Sequence, residues 1–250
     1  MWIFLHKLAS PPHFYAQAAK LIPWFASCGL LAIGYGSIAG LFWAPPDYQQ
    51  GDAFRIIYVH VPSAYLSMLA YIIMAVAAGI GLIWRMKLSY AVAAAVAPLG
   101  AWFTFLALLT GSIWGRPMWG TWWEWGDPRL TSELILLFLY LGFMALRSAI
   151  DDTAKADRAG AVLAMVGAVN VPIIHFSVEW WSSLHQGPTL VRAGGPAITG
   201  SMLYPLLAMI AGFTLLFTAL LLARVRSEVL VREGRAHWVQ KLMYPQGSTG

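Results

Sequence analysis

Six long apolar runs dominate this chain and limit what it can fold into. A helix of about 20 residues crosses the hydrocarbon core of a bilayer, so an apolar run of roughly that length predicts a membrane span. The runs lie at about 21–43, 59–84, 91–113, 131–147, 159–178 and 201–223. They predict an all-α fold, a polytopic membrane bundle of six transmembrane helices.

The composition supports this interpretation. Hydrophobic residues make up 59% of the chain, charged residues only 11%, and the mean hydropathy is +0.65. A soluble protein has roughly 25% charged residues, so this chain lacks the charge to cover a water-facing surface. A net charge of +5 could suggest a nucleic-acid partner, but the charges lie in short segments between the apolar runs, as in membrane proteins. We expect one integral membrane domain over residues 1–250.

Lysine and arginine are divided unequally between the two sets of connecting segments. The richer set includes both termini and holds Lys7, Lys20, Arg85, Lys87, Arg147, Lys155, Arg158, Arg224, Arg226, Arg232, Arg235 and Lys241. The poorer set holds Arg55, Arg116, Arg129 and Arg192. Because positive charge favours the cytoplasmic side, the sequence predicts both termini and a basic tail (224–250) in the cytoplasm. The predicted outer loops are 44–58, 114–130 and 179–200.

The outer loop 114–130 is crowded with tryptophan. Its five tryptophans, of thirteen in the chain, are Trp114, Trp119, Trp122, Trp123 and Trp125. One explanation is an aromatic belt, because Trp favours the membrane–water interface. The other is a shelf for a flat, mostly apolar ligand, since a belt places only one or two aromatics at each span end. The residues alone leave both open.

Three histidines fall in the predicted outer half. His60 lies at the outer end of the second span and His185 just beyond the fifth, so we expect both to flank the tryptophan loop at the same membrane depth. Imidazole is a common axial ligand of haem iron, although a lone His near a helix end is more often structural. His175, inside the fifth span, is expected to pack or to support a ligand. The inner histidines, expected to be solvated or interfacial, are His6, His13 and His237.

Charged residues of the outer loops have structural alternatives. Asp127 before Pro128 is a common helix start, with Asp as N-cap, and Glu133 could complement the same helix N-terminus. Arg55 and Arg129 suit bidentate pairing with carboxylates such as haem propionates. For the other two outer arginines, Arg116 and Arg192, binding to phospholipid headgroups is an equally good explanation.

Several chemistries have no motif in this chain. No phosphate-binding loop, hydrolase triad order or H-E-x-x-H pattern is present. The single cysteine, Cys28, excludes an intramolecular disulfide and a C-x-x-C-H haem attachment. ATP hydrolysis through a P-loop and covalent haem attachment to this chain are therefore not expected.

Three segments together resemble a known family. The segment WGTWWEWGDPRLTSE, preceded by YQQGDAFRIIYVHVP and followed by HFSVEWWSSLHQGPT, is similar to the tryptophan-rich (WWD) signature and flanking loops of the haem exporter protein C (CcmC) family. These are haem-handling membrane proteins of cytochrome c maturation, and the resemblance covers essentially the whole chain. One departure is Gly126, which separates Trp125 from Asp127 where the family usually runs Trp directly into Asp.

The resemblance implies a haem site. His60 and His185 match the axial ligands of the iron of haem b, and Arg55 and Arg129 lie where propionate contacts are expected. The positions that match the cradle of the macrocycle are Trp114, Trp119, Gly120, Trp122, Trp123, Trp125 and Asp127.

The resemblance also implies partner proteins and a location in the cell. It implies delivery of haem to the haem chaperone CcmE, together with the small membrane subunit CcmD and the ABC transporter subunits CcmA and CcmB. The site would lie on the periplasmic face of the bacterial inner membrane. No enzymatic reaction is assigned, although such proteins are sometimes called haem lyases.

Two other functions fit the residues less well. A b-type cytochrome subunit passing electrons to or from quinone often has His pairs that face each other inside the bilayer, whereas His60 and His185 lie at span ends. A solute transporter without a cofactor would show no haem spectrum.

Overall fold

The computed structural model describes residues 10–185, 187, 194–195 and 198–244, and this part of the chain is helical without β-strands. The helices are α1 (Pro11–Ile38, continued by a π-helical turn Ala39–Trp43), α2 (Ile57–Trp84, preceded by a 3-10 turn Asp52–Ile56), α3 (Lys87–Trp119), α4 (Pro128–Ser148), α5 (Thr153–Gly167), α6 (Asn170–Trp180), α7 (Gly200–Arg232) and α8 (His237–Met243). Six helical stretches are long and apolar enough to cross a membrane, with α5 and α6 forming one of them. The predicted six-span, all-α fold is confirmed. His6, Lys7 and Arg192 lie outside the described residues.

Two helices extend well beyond the apolar runs that predicted them. Helix α3 continues to Trp119 and ends where Gly120 adopts a left-handed conformation, with φ of 78°. Trp114 and Trp119 are therefore helical, and the prediction of a loop beginning at residue 114 was wrong. Helix α7 continues to Arg232, so the predicted tail 224–250 begins as helix. Hydropathy marks the part of a helix that lies in lipid, whereas the backbone hydrogen bonds continue past it.

The fifth span is broken near its middle. Helix α5 ends at Gly167 and α6 begins at Asn170, and Pro172 lacks the N–H that would continue the helical hydrogen bonding across the break. The Asn170 side chain instead ties the break to α4, donating from Nδ2 to the Ser132 carbonyl at 2.9 Å. Prolines that lie inside continuous helices are Pro23, Pro62, Pro98, Pro117 and Pro205.

Close helix packing holds the bundle together. In lipid, helices associate largely through van der Waals contact, and small residues allow their backbones to approach. Helices α1 and α7 meet at Gly29 and Gly212, where a Cβ on Gly29 would lie 2.9 Å from the Leu216 nitrogen. The main core, shared by α2 to α7, includes the buried side chains Leu66, Tyr71, Met74, Val96, Leu136, Tyr140, Ile174 and Phe217.

Consecutive spans run in opposite directions, so the connections gather at two ends of the bundle. The tryptophan end consists of residues 44–56 and 120–127 and, after α6, of the described residues 181–185, 187, 194–195 and 198–199. The basic end consists of residues 85–86, 149–152 and 233–244. Both ends of the described chain lie at the basic end, since the Tyr15 ring packs against Trp238 with centroids 5.6 Å apart. The membrane face on which each end lies stays a prediction.

Candidate functional site

A cavity of about 430 Å³ lies near the tryptophan end. Its walls come from α2, α3, α4, α6 and the segment that follows α6. They are largely aliphatic, and its volume falls within the range of ligand sites, about 300–1,000 Å³. The polar and aromatic residues of the wall are His60, Tyr65, Trp114, Arg129, Glu133, His175, Glu179 and His185. Residues from distant parts of the sequence are thus brought to one cavity.

His60 lies in the first turn of α2 with its ring against α3. Its Nδ1 is 2.9 Å from the Thr110 hydroxyl, and that hydroxyl donates its one hydrogen to the Leu106 carbonyl at 2.6 Å. Thr110 must therefore accept from His60, which makes Nδ1 the protonated nitrogen. The lone pair of Nε2 stays available, and an anchored imidazole of this tautomer is well suited to bind a metal.

His185 lies in the segment after α6 and is held by an aromatic ring and a carboxylate. Its ring meets Trp119 edge-on, with centroids 5.0 Å apart. Its Nδ1 is 3.4 Å from Asp127 Oδ1 and, although buried, forms no well-formed hydrogen bond with any residue that the structure describes. At this distance the contact is mainly electrostatic. Because Nδ1 faces Asp127, Nε2 is the nitrogen available to a ligand.

Asp127 uses its two oxygens for two purposes. Oδ1 accepts from the backbone N–H groups of Arg129 and Leu130, both at 3.0 Å, and so caps α4. Oδ2 accepts from the Ser183 hydroxyl at 2.7 Å and from the Leu184 N–H at 2.8 Å. Asp127 therefore caps α4, as the sequence predicted, and also contacts the segment that carries His185, despite the inserted Gly126; its role as a haem-site residue stays a prediction.

The charge of Asp127 is held by its surroundings. Burial alone would raise the pKa of this carboxyl, but the contact with His185 and hydrogen bonds from Leu130, Ser183 and Leu184 outweigh burial and hold the pKa well below its usual range. The ionised carboxylate joins the start of α4 to the segment that carries His185.

Two charged residues of α4 face the same cavity. Arg129 and Glu133, one turn apart, both line its wall. Glu133 is buried, and its Oε1 has no hydrogen-bond partner among the described residues. A buried polar atom without a partner is costly, and in a ligand-sized cavity it indicates a group that a ligand or water would contact. The sequence placed Glu133 only as a complement to the helix N-terminus.

Arg55 lies apart from this cavity. Its Nη1 donates to the Gly40 carbonyl at 2.7 Å, and its Nε pairs with Asp52 at 2.9 Å. Its guanidinium also lies over the Phe54 ring, 5.3 Å from the centroid. The structure thus brings Arg129 to the cavity wall and keeps Arg55 in contacts beside the end of α1.

Two of the five tryptophans lie beside the cavity. Trp114 lines the wall, and its Nε1 donates to Gln50 Oε1 at 3.0 Å. Its ring meets Trp119 edge-on with centroids 5.0 Å apart, and Trp119 in turn supports His185. Gly120 ends α3 directly after this pair, with its carbonyl accepting from Arg116.

The other three tryptophans lie in the loop 120–127. Trp122 and Trp125 are exposed, with 58% and 73% of their surface accessible. Trp123 packs edge-on against Trp125 at 5.4 Å, and its buried Nε1 has no hydrogen-bond partner in the part of the chain that the structure describes. These rings form an aromatic surface at the tryptophan end, outside the cavity wall.

Sequence reasoning missed the residues that hold the site residues in place. Thr110 anchors His60, Ser183 binds Asp127, and Gln50 binds Trp114. Thr110 had the clearest signal, a hydroxyl inside an apolar run. Its partner could not be read from the sequence because the rotational setting of α3 against α2 is a tertiary property.

This fold and cavity define a class: a six-span helical membrane protein with a cavity of ligand size between its helices, lined by two anchored histidines. Comparison with known proteins identifies the family. The family described as heme exporter protein C matches residues 4–240, and the chain belongs to it. The resemblance that the sequence suggested is confirmed.

The relatives match over nearly their full lengths. Heme exporter protein C of Escherichia coli strain K12 is 52% identical over 247 residues, 99% of each chain. The protein of that name from Bradyrhizobium diazoefficiens is 52% identical over 232 residues, 93% of this chain and 88% of the relative. That from Rhodobacter capsulatus is 42% identical over 231 residues, 92% of this chain and 95% of the relative.

Proposed function

We propose that this protein binds haem b in the cavity near the tryptophan end and delivers it to the haem chaperone CcmE during maturation of c-type cytochromes. The observation that carries the proposal is that His60 and His185, far apart in the sequence, line one cavity. Haem is the cargo here, and its iron supplies the coordination that would hold it.

The two histidines would act as axial ligands through Nε2. Thr110 holds the His60 ring and Asp127 faces the His185 ring, each at Nδ1. Partners of this kind fix the orientation of metal-binding imidazoles and raise their basicity. The two anchors differ, since one is a neutral hydroxyl and the other a carboxylate, so His185 would be the more electron-rich ligand.

The other residues of the cavity wall are suited to contact the propionates and the macrocycle of haem. Arg129 would pair with a propionate, because an arginine beside an apolar cavity is suited to bind a carboxylate. Trp114 would lie along the macrocycle, with Trp119 behind it and behind His185. Arg55 stays a candidate for the second propionate, but it would first have to leave Asp52 and Gly40.

The exposed tryptophans would contribute to the transfer of haem to the chaperone. Trp122 and Trp125 lie at the surface of the tryptophan end, where a chaperone could reach an exposed edge of the macrocycle. This end would face the periplasm in the bacterial inner membrane, as the distribution of Lys and Arg predicts. CcmD, CcmA and CcmB are the further partners that the family implies.

Haem content of histidine variants tests the ligand assignment. The full chain is purified as wild type, His60→Ala, His185→Ala, the double variant and His175→Ala. His175 is a matched control because it lines the same cavity. We expect each ligand variant to lose haem and change its absorption spectrum, the double variant to lose haem almost completely, and His175→Ala to keep both. Added imidazole should restore the spectrum of the single ligand variants, which a merely structural defect would not allow.

Unchanged haem content and spectrum in the double variant would overturn the axial assignment. Delivery is tested separately, by co-purification with a tagged haem chaperone scored for covalently attached haem. A variant that binds haem but loads no chaperone would separate binding from transfer. A b-type cytochrome would instead keep its haem and be reoxidised or reduced by a quinone analogue.

A further inference from the structure

A second cavity, of about 760 Å³, lies at the basic end of the bundle. Its walls come from the connection between α2 and α3, the end of α4, the start of α5 and the end of α7, with Pro11 of α1. The bundle separates it from the histidine-lined cavity, and no part of the proposed haem function uses it.

The inner side of this cavity is an ion-pair network. Asp157 accepts from Arg147 at 2.9 Å and from both terminal nitrogens of Arg232 at 2.7 and 2.9 Å. Glu228 accepts from Arg232 Nε at 2.9 Å. Two arginines face two carboxylates, so this network is satisfied and carries no net charge.

The outer rim is different, because its cations outnumber its anions. Arg85, Lys87 and Arg158 line the rim, are exposed and form no ion pair within the described residues. The one acidic residue there is Glu233, whose Oε2 accepts from Trp238 Nε1 at 2.6 Å. The rim therefore presents an excess of positive charge above a neutral base.

Arg85 occupies its position at a conformational cost. Its φ of 54° and ψ of 34° place it in the left-handed region, and it is the one non-glycine residue with positive φ in the part of the chain that the structure describes. Glycine is favoured there because it has no Cβ to clash. Strained residues of this kind cluster at ligand sites and switch regions. Replacement of Arg85 by glycine would therefore relieve this cost and remove a cation from the rim together.

We propose that this cavity binds the phosphate headgroup of an anionic glycerophospholipid. Arg85, Lys87 and Arg158 contact the phosphate, and the aliphatic wall, which includes Leu82, Leu88 and Val229, accommodates the glycerol and the first acyl carbons. A lipid fits better than a soluble phosphate because the cavity lies where spans end, at the depth of headgroups. Basic pockets between transmembrane helices are a known means of binding anionic headgroups.

Replacing Arg85 by glycine gives a test in which two effects have opposite signs. The purified full chain is delipidated in non-ionic detergent, and its thermal unfolding is followed with added phosphatidylglycerol or phosphatidylcholine. We expect phosphatidylglycerol to raise the Tm of the wild type by several degrees more than phosphatidylcholine does. Arg85→Gly should unfold at a higher Tm than wild type in phosphatidylcholine, because backbone strain is relieved. It should lose most of the phosphatidylglycerol effect.

The remaining variants separate this site from general surface charge. A Lys87→Gln/Arg158→Gln double variant should also lose the lipid-specific shift. Arg235→Gln, which removes an exposed cation from the same end outside the cavity wall, should keep it. Equal shifts in all these variants would overturn the proposal in favour of non-specific attraction to an anionic surface. A full shift produced by inorganic phosphate alone would overturn the lipid assignment and indicate a soluble phosphate ligand.

Discussion

The two ends of this bundle differ in how their buried charged and polar groups are paired. At the basic end, Asp157 and Glu228 take up both arginines of the inner network, and every member has an oppositely charged partner. At the tryptophan end, Arg55 pairs with Asp52 and Asp127 faces His185, but within the described residues the buried atoms Glu133 Oε1 and Trp123 Nε1 have no hydrogen-bond partner.

This difference distinguishes polar groups that stabilise the bundle from polar groups that could bind a ligand. A satisfied network joins helices and has nothing left to offer a ligand. A cavity whose wall contains buried polar atoms without partners lowers the stability of the fold, because such atoms are unfavourable. A ligand that bonds to those atoms would remove that cost. The four predictions that follow test this contrast from the largest expected effect to the smallest.

Asp157→Asn is expected to have the largest effect on stability. It leaves the guanidinium groups of Arg147 and Arg232 without their shared carboxylate, and loss of one partner from a buried ion pair costs about 3–5 kcal/mol. Thermal or detergent-induced unfolding measures the loss. Haem bound per folded molecule should stay unchanged, because the change lies at the opposite end.

Asp152→Asn is the matched control, since Asp152 is exposed and caps α5 through the Lys155 N–H, and asparagine caps helices about as well as aspartate. Equal destabilisation by the two variants would contradict the special role of the buried network.

Asp127→Asn is expected to show the opposite pattern from Asp157→Asn, with a larger effect on haem affinity than on stability. Asparagine can still cap α4 through its one carbonyl oxygen, so the loss of stability should be smaller than that of Asp157→Asn. Its amide NH2 cannot accept the hydrogen bonds that Oδ2 receives from Ser183 and Leu184, and the negative charge that faces His185 is lost. Loss of a partner that supports a metal ligand typically lowers affinity about 10–100-fold. Haem titration of the purified variant measures the affinity. A variant with wild-type affinity but lower stability would make Asp127 a helix cap only.

Gly111→Ala is expected to have a smaller effect, confined to the site. A Cβ at this position would lie 3.2 Å from Cε1 of His60, so the ring must shift against Thr110. Alanine otherwise favours helix over glycine, so stability should be kept while the haem spectrum changes and occupancy falls a few-fold. The control is Gly34→Ala, where a Cβ meets nothing within 4 Å. Identical spectra for the two variants would argue against His60 as a ligand.

The pH dependence of Asp127 is the smallest effect. Because the pKa of this carboxyl is lowered in the folded protein, its ionised form stabilises the fold above the unfolded pKa, near the ordinary value of 3.8, and this contribution is lost as the pH falls further. The Tm of the wild type minus that of Asp127→Asn should therefore be constant above about pH 5 and shrink below it. A difference that grows on acidification would contradict the ionised state of Asp127.

The sequence predicted many of the residues that line the candidate site, but it did not predict the contacts that hold their side chains in place. His60, His185, Trp114 and Arg129 were all expected together, and all line one cavity. Arg55 was grouped with them by its position before His60, yet its side chain turns to Asp52 and Gly40. A local pattern says that an arginine is near a helix start, but its direction depends on neighbours from elsewhere in the chain.

The sequence by itself determined the class of fold, the six spans and the family, because hydropathy, span length and a local tryptophan signature are properties of contiguous residues. Only the tertiary structure decided that α3 continues through Trp119, that the Thr110 hydroxyl lies within hydrogen-bond distance of His60 Nδ1, and that one carboxylate both caps α4 and faces His185. Those features depend on helix rotation and on contacts between segments far apart in the chain. Packing of the whole bundle is what sets them.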